Sequence, residues 1–268
     1  MSTPVYSEVV IKYADSTSPY PLNVAPLKLA RLISANGVLH ATFTNGEIHQ
    51  VDVANKAIKK LASIISDSQM LDVNFPQLSW AQVYDPSING IWSVVTAGSR
   101  AYLSKVTLSD LQVASWIELN NVDLMMADVK FSPETFINAH MVKSDPNLPP
   151  RLVVTMESLP SVGFDEMVFV DTTTGVMTSL NANLMSDNIL LECVPHECDM
   201  WQVSTYDPVQ NKMFFQGHLL VGDDIQLSQF YVAFVENRIT GKWFPVIDPA
   251  IEYAPYGYSG FQYVQIVN

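Results

Sequence analysis

The sequence predicts an all-β protein built from repeated four-stranded antiparallel units. Three observations carry this. Apolar residues alternate with a period of two along most of the chain. The hexad Tyr-Asp-Pro-x-x-Asn occurs at 84–89 and again at 206–211, each time leading into an apolar run. A hairpin signature, in which an acid or threonine ends a β run before a polar turn, recurs around Asp52, Thr107, Asp171 and Glu236.

The strand candidates are "VLHATF" (38–43), "EIHQVDV" (47–53), "GIWSVV" (90–95), "RLVVTM" (151–156), "EMVFVD" (166–171), "QFYVAFVE" (229–236) and "FQYVQIV" (261–267). They are short, rich in β-branched and aromatic residues, and bounded by turn residues. One stretch, 55–67, places Ile58, Leu61 and Ile65 on one helical face, but reads nearly as well as a strand followed by a loop. Within the hexad, Tyr is expected to end the innermost strand of a unit. Asp caps backbone N–H groups of the turn, Pro sets φ, and Asn takes the unusual backbone conformation before the next strand. "FSPETF" (131–136) reads as a degenerate copy, and the insertion "MVKSDPNLPPRLVV" leaves room for an extra hairpin.

Units of this size cannot bury both faces alone, and stacking them around an axis as β-propeller blades solves that. The expected division is five blades: 28–68, 76–120, 124–183, 190–248, and one in which 249–268 joins 1–27. The termini would then share a blade and leave no free edge. The whole chain, 1–268, reads as one domain. Six blades are the first alternative and two packed β-sandwiches the second. The turn placement resembles the broad propeller superfamily, including its kelch-like and NHL-like members. No kelch double glycine and no Trp-Asp dipeptide closing a blade is present. The resemblance therefore implies a fold and no active-site residue.

The chain carries 27 acids against 14 bases, a net charge of −13, with no run of five like charges. That acidic surface disfavours nucleic acid and anionic lipid as partners. No apolar run approaches the roughly 20 residues of a membrane span. No Asn-x-Ser/Thr sequon occurs and no signal peptide is visible, so the expected setting is intracellular and cytoplasmic, with a secreted protein as the alternative.

Chemistry-bearing residues are few. "LLECVPHECDMW" (190–201) gathers Cys193, His196 and Cys198, types that suit a divalent metal such as zinc, although the spacing is not a usual zinc pattern. The same cysteines admit a short disulfide or two free thiols. No cofactor other than such a metal is expected. His40, His140 and His218 fall at or near corresponding strands of three units. The offsets of His40 and His218 from their turns have opposite parity, so a shared histidine site is not expected. His49 reads as solvent-facing. Asp128, Asn89 and Asn211 are weak calcium candidates, the two Asn already having a turn role. Trp80, Trp92 and Trp201, with His218, are the candidate ligand-binding residues, because an aromatic face suits the apolar face of a sugar. Packing between blades is the competing use of the tryptophans. No nucleophile motif or phosphate loop appears. The expected function is therefore a binding module offering a central funnel and rim loops (141–151, 157–165, 218–228) to a protein or carbohydrate ligand. A lyase or hydrolase with a metal or polar site at the axis is the alternative.

Overall fold

In a computed structural model of the chain, the described residues are 12–13, 29–65, 76–114, 116–121, 131–132, 135–143, 145, 147–156, 166–180, 198–221, 226–236 and 243–246. They form four sheets. Sheet one holds β1 (Lys12–Tyr13), β2 (Leu29–Ala35), β3 (Val38–Phe43), β4 (Glu47–Asp52) and β5 (Ala57–Ser63). Sheet two holds β6 (Gln77–Asp85), β7 (Gly90–Ala97), β8 (Arg100–Thr107) and β9 (Ile117–Glu118). Sheet three holds β10 (Asn120–Asn121), β11 (Phe136–Val142), β12 (Arg151–Met156), β13 (Glu166–Val170) and β14 (Val176–Ser179). Sheet four holds β15 (Cys198–Asp207), β16 (Lys212–Val221), β17 (Gln226–Glu236) and β18 (Trp243–Val246).

Each sheet is an antiparallel meander of four strands, in sequence order. Sheets one and three gain a two-residue strand, β1 or β10, parallel to their outermost strand. The first strands β2, β6, β11 and β15 lie next to one another in that order. The sheets also stack face to face. Ile33, Ala35 and Ile48 of sheet one pack on Leu78, Ile91 and Val95 of sheet two. Val83, Val94 and Leu103 of sheet two pack on Phe136, Val154 and Met156 of sheet three. Sheet two is therefore buried on both faces, and all eight residues of β7 are buried. Consecutive meanders stacked in this way, with first strands innermost, are β-propeller blades.

The hexad does what its residues predict. Tyr84 Oη donates to Asn89 Oδ1 at 3.0 Å, and Tyr206 Oη to Asn211 Oδ1 at 2.8 Å. Asp85 Oδ1 accepts the Ser87 N–H at 2.9 Å, as Asp207 Oδ1 accepts that of Val209 at 2.8 Å. Asn89 and Asn211 take φ of 46° and 51°, the left-handed region that Asn tolerates. The hairpin signature also holds: Asp52, Thr107 and Glu236 end third strands, and Asp171 follows one.

Of the two readings of the 55–67 stretch, the strand holds: β5 covers Ala57–Ser63. Four expectations are corrected. "FSPETF" is not the hexad's counterpart, since it precedes β11 instead of following it. The counterpart is at Asp145, inside the insertion, where Asp145 Oδ1 accepts the Asn147 N–H at 2.8 Å. That insertion is one loop joining β11 to β12, with no extra hairpin among its described residues. The loop expected at 218–228 is mostly strand, because β16 runs to Val221 and β17 starts at Gln226. His49 is fully buried, not solvent-facing. Its side of sheet one carries Ala41, Phe43, Val51 and Ile58, all buried. Alternation marks solvent only where one face is wet. His49 stacks edge-on against Phe43 and bonds Glu47 Oε2 at 2.8 Å.

Gly175 shows how tightly the outer strands are latched. Its φ is 75°, and a Cβ there would lie 2.2 Å from the Glu118 carbonyl oxygen. Gly37 has the same φ with open space around it. We expect Gly37→Ala to cost about 1 kcal/mol from backbone strain alone, and Gly175→Ala roughly 2–4 kcal/mol from strain plus overlap. Urea midpoints of the two variants check this; equal losses would remove the role assigned to the Gly175–Glu118 contact.

Candidate axial binding site

All four first strands carry a register shift. It falls between Leu29 and Arg31 in β2, Leu78 and Gln82 in β6, Phe136 and Asn138 in β11, and Asp199 and Val203 in β15. Bulges bend a strand and re-aim side chains. The residues just past them, Arg31, Gln82 and Asn138, pair with Thr42, Ser93 and Thr155 of the second strands. The Thr42 and Thr155 hydroxyls donate to the Arg31 and Asn138 carbonyls at 3.3 and 3.5 Å. The shifts therefore recur at one level of successive blades.

At that level Arg31 ties three sheets together. Its Nη1 donates to the Trp80 carbonyl at 2.9 Å and to Asn138 Oδ1 at 2.8 Å. A guanidinium offers donors only, so Asn138 must turn its oxygen toward it. That leaves Asn138 Nδ2 buried with no acceptor among the described residues. An unmet buried donor costs about 1–3 kcal/mol. Two residues on, and so on the same side of β11, His140 Nε2 lies 2.8 Å from Ser204 Oγ of β15. His140 is buried, and that burial, reinforced by the nearby positive charge of Arg31, lowers its pKa to about 3. The polar chain thus reaches the first strand of every described sheet.

Trp80 sits in the β6 bulge. Ser79 Oγ accepts the Ala81 N–H at 3.2 Å, and Gln82 Nε2 donates to the Ser79 carbonyl at 2.8 Å. The folded-out backbone leaves Trp80 40% exposed, while its neighbours Ser79 and Ala81 are buried. Trp92, in contrast, is buried in β7. Its indole N–H donates to Asp85 Oδ2 at 3.1 Å, and Lys105 Nζ lies 5.3 Å from its ring centroid. Trp92 thereby ties the Tyr-Asp-Pro turn to the inter-sheet core. Trp201 falls within the β15 bulge, the place Trp80 has in β6, and His218 of β16 pairs with Asp199.

Cys198 opens β15 opposite Leu219. Cys193 and His196, like Asp128 and residues 157–165, lie outside the described residues. Among the described residues, no three of His, Cys, Asp and Glu gather as a metal site. His40 lies on a second strand, His140 on a first and His218 on a second, so the three are not at equivalent positions. Arg31 and Asn138 went unnoticed in the sequence. Their only signal is a polar residue interrupting an apolar first strand, as in "LARLISA" and "FINAHMV".

No family model matches the chain, and no curated protein matches it in sequence. Solved structures do show likeness. A Synechocystis apocarotenoid oxygenase mutant is 8% identical with a TM-score of 0.43, covering 80% of this chain and 47% of its own. The GH43B protein of a Bacteroides ovatus xyloglucan PUL is 7% identical with a TM-score of 0.44, covering 83% and 41%. The Dos1 propeller is 9% identical with a TM-score of 0.43, covering 82% and 48%. The chain thus spans less than half the length of each. Its propeller character rests on the strand order and sheet stacking described above. Among the described residues, no helix is long and apolar enough to cross a membrane.

Proposed function

We propose that the chain is a binding module that takes a carbohydrate ligand at the first-strand cluster. One observation carries this: Trp80 is 40% exposed within the β6 bulge, and its backbone carbonyl is tied to the Arg31–Asn138 pair at the level of the first-strand bulges. A flat aromatic face next to fixed polar groups is how proteins grip sugars. Trp201 falls at the matching bulge of β15. A glycan array tests it. Wild-type protein should bind a small set of glycans, and Trp80→Ala should weaken those signals at least tenfold. Retention of full binding by Trp80→Ala would refute it.

A protein ligand is the second reading, favoured by Leu29 and Leu32, 48% and 49% exposed on the same strand as Arg31. The enzyme reading draws on the His140–Ser204 hydrogen bond. It is the weaker one, because a useful general base has a pKa near the working pH, far above about 3. The absence of sequons supports an intracellular setting.

In this reading the propeller has five blades and its termini share one. A repeat supports it. β9, the outermost strand of sheet two, runs straight into β10, which latches onto sheet three. β1 latches onto sheet one in the same parallel manner.

A further inference from the structure

We propose that Asn36 is a site of spontaneous deamidation, and that the reaction severs a link between sheets one and two. Asn-Gly occurs at 36–37, 45–46 and 89–90. Asparagine is a thermolabile residue, and a following glycine has no Cβ to screen the attacking nitrogen. The Gly37 nitrogen, on losing its proton, attacks the Asn36 side-chain carbon Cγ. A C–N bond forms, the bond to Nδ2 breaks, and ammonia leaves with that proton. Water then opens the cyclic imide at either carbonyl, leaving aspartate or isoaspartate.

The fold opens one of the three dipeptides and shields the others. Asn36 and Gly37 are both exposed, at the tip of the two-residue hairpin closed by Ala35 and Val38. Their φ values of 50° and 75° are those of a type I′ turn. A Cβ on Gly37 would meet nothing within 4 Å, so the attacking residue is uncrowded. Gly46, in contrast, is buried against Ile65, and its N–H donates to the Phe43 carbonyl at 2.8 Å. Gly90 is buried and pairs with Asp85 in the ladder. Asn89 Oδ1 accepts from Tyr84 Oη and from Asn36 Nδ2, each at 3.0 Å. The second of these bonds joins sheet one to sheet two, and deamidation removes its donor. An ionised carboxylate only accepts, so the product sets an anionic oxygen against Asn89 Oδ1. Isoaspartate also lengthens the turn that fixes the β2–β3 register.

The experiment incubates the whole chain in mildly alkaline buffer, native and in urea, and follows each Asn-Gly by tandem mass spectrometry of its peptides. In the native chain Asn36 should convert at least tenfold faster than Asn45 or Asn89. In urea the three should convert at similar rates, since the selectivity comes from the fold. Asn36→Asp carries the aspartate product from the start and should unfold at a lower urea midpoint than wild type. In an Asn89→Gly background it should no longer do so, because the facing oxygen is gone and glycine accepts the φ of 46° at that position. Native conversion of Asn36 no faster than that of Asn45 or Asn89 would overturn the site. An Asn36→Asp midpoint equal to that of wild type would overturn its effect on the two sheets.

Discussion

Replacing Phe136 by alanine is expected to destabilise the protein by about 3–5 kcal/mol. Phe136 is fully buried at the start of β11 and stacks on Phe131 with centroids 5.2 Å apart. It belongs to the cluster that joins sheet two to sheet three. The backbone there is fixed by the β11 register shift and by the pairing of Phe136 with Met156. The cavity therefore opens between two sheets that are each held by their own ladders and collapse poorly. Phe136→Leu keeps most of the volume and should cost about 1–2 kcal/mol. Since whole domains are stable by only about 5–15 kcal/mol, the alanine variant should lower the urea midpoint severely. A loss below about 1 kcal/mol would mean that the two sheets do not share a packed interface at this point.

The second large effect is acid lability through His140. Its folded pKa of about 3 lies below its ordinary value of 6.5. The unfolded chain therefore takes up a proton as pH falls below 6.5, while the folded chain stays neutral. The stabilisation is complete above pH 6.5 and is lost progressively toward pH 3, at up to about 1.4 kcal/mol per pH unit, or about 5 kcal/mol in all. The Glu47, Asp52 and Asp171 carboxylates are also held below their ordinary values. They lose stabilisation as pH falls through their ordinary values of 4.5 for Glu47 and 3.8 for the two Asp, so the loss between pH 6.5 and 4.5 comes mainly from the histidines. His40, lowered by burial against opposing backbone hydrogen bonds, adds to the same window. His140→Gln should remove about 2 kcal/mol of the pH-dependent loss between pH 6.5 and 4.5. Urea unfolding at several pH values measures it, and an unchanged pH slope in the variant would show that His140 is not held neutral by burial.

Much of the blade repeat was legible because its turns are local chemistry. Asp, Pro and Asn do their work within six residues, so Tyr84 and Asn89 could be read without knowing what surrounds them. The third copy, at Asp145, was hidden because neither the Tyr nor the spaced Asn accompanies it. Facing was less legible. His49 alternates as a wet-face residue would, and only the burial of both faces of sheet one shows otherwise. The site was the least legible part. A β-bulge breaks the period of two at the residue where Arg31, Trp80 or Asn138 is re-aimed, and nothing in the alternation announces an extra residue. Arg31 and Asn138 are 107 positions apart. Their meeting depends on the stacking of three sheets, which no local pattern encodes.

That meeting is the point on which the account depends most. A double-mutant cycle on Arg31→Gln and Asn138→Ala, read by urea unfolding, measures it directly. A hydrogen bond to a charged group across the first strands predicts a coupling of about 1.5–3 kcal/mol. Strictly additive losses would mean that sheets one and three do not meet through Arg31, and the axial site would have to be abandoned.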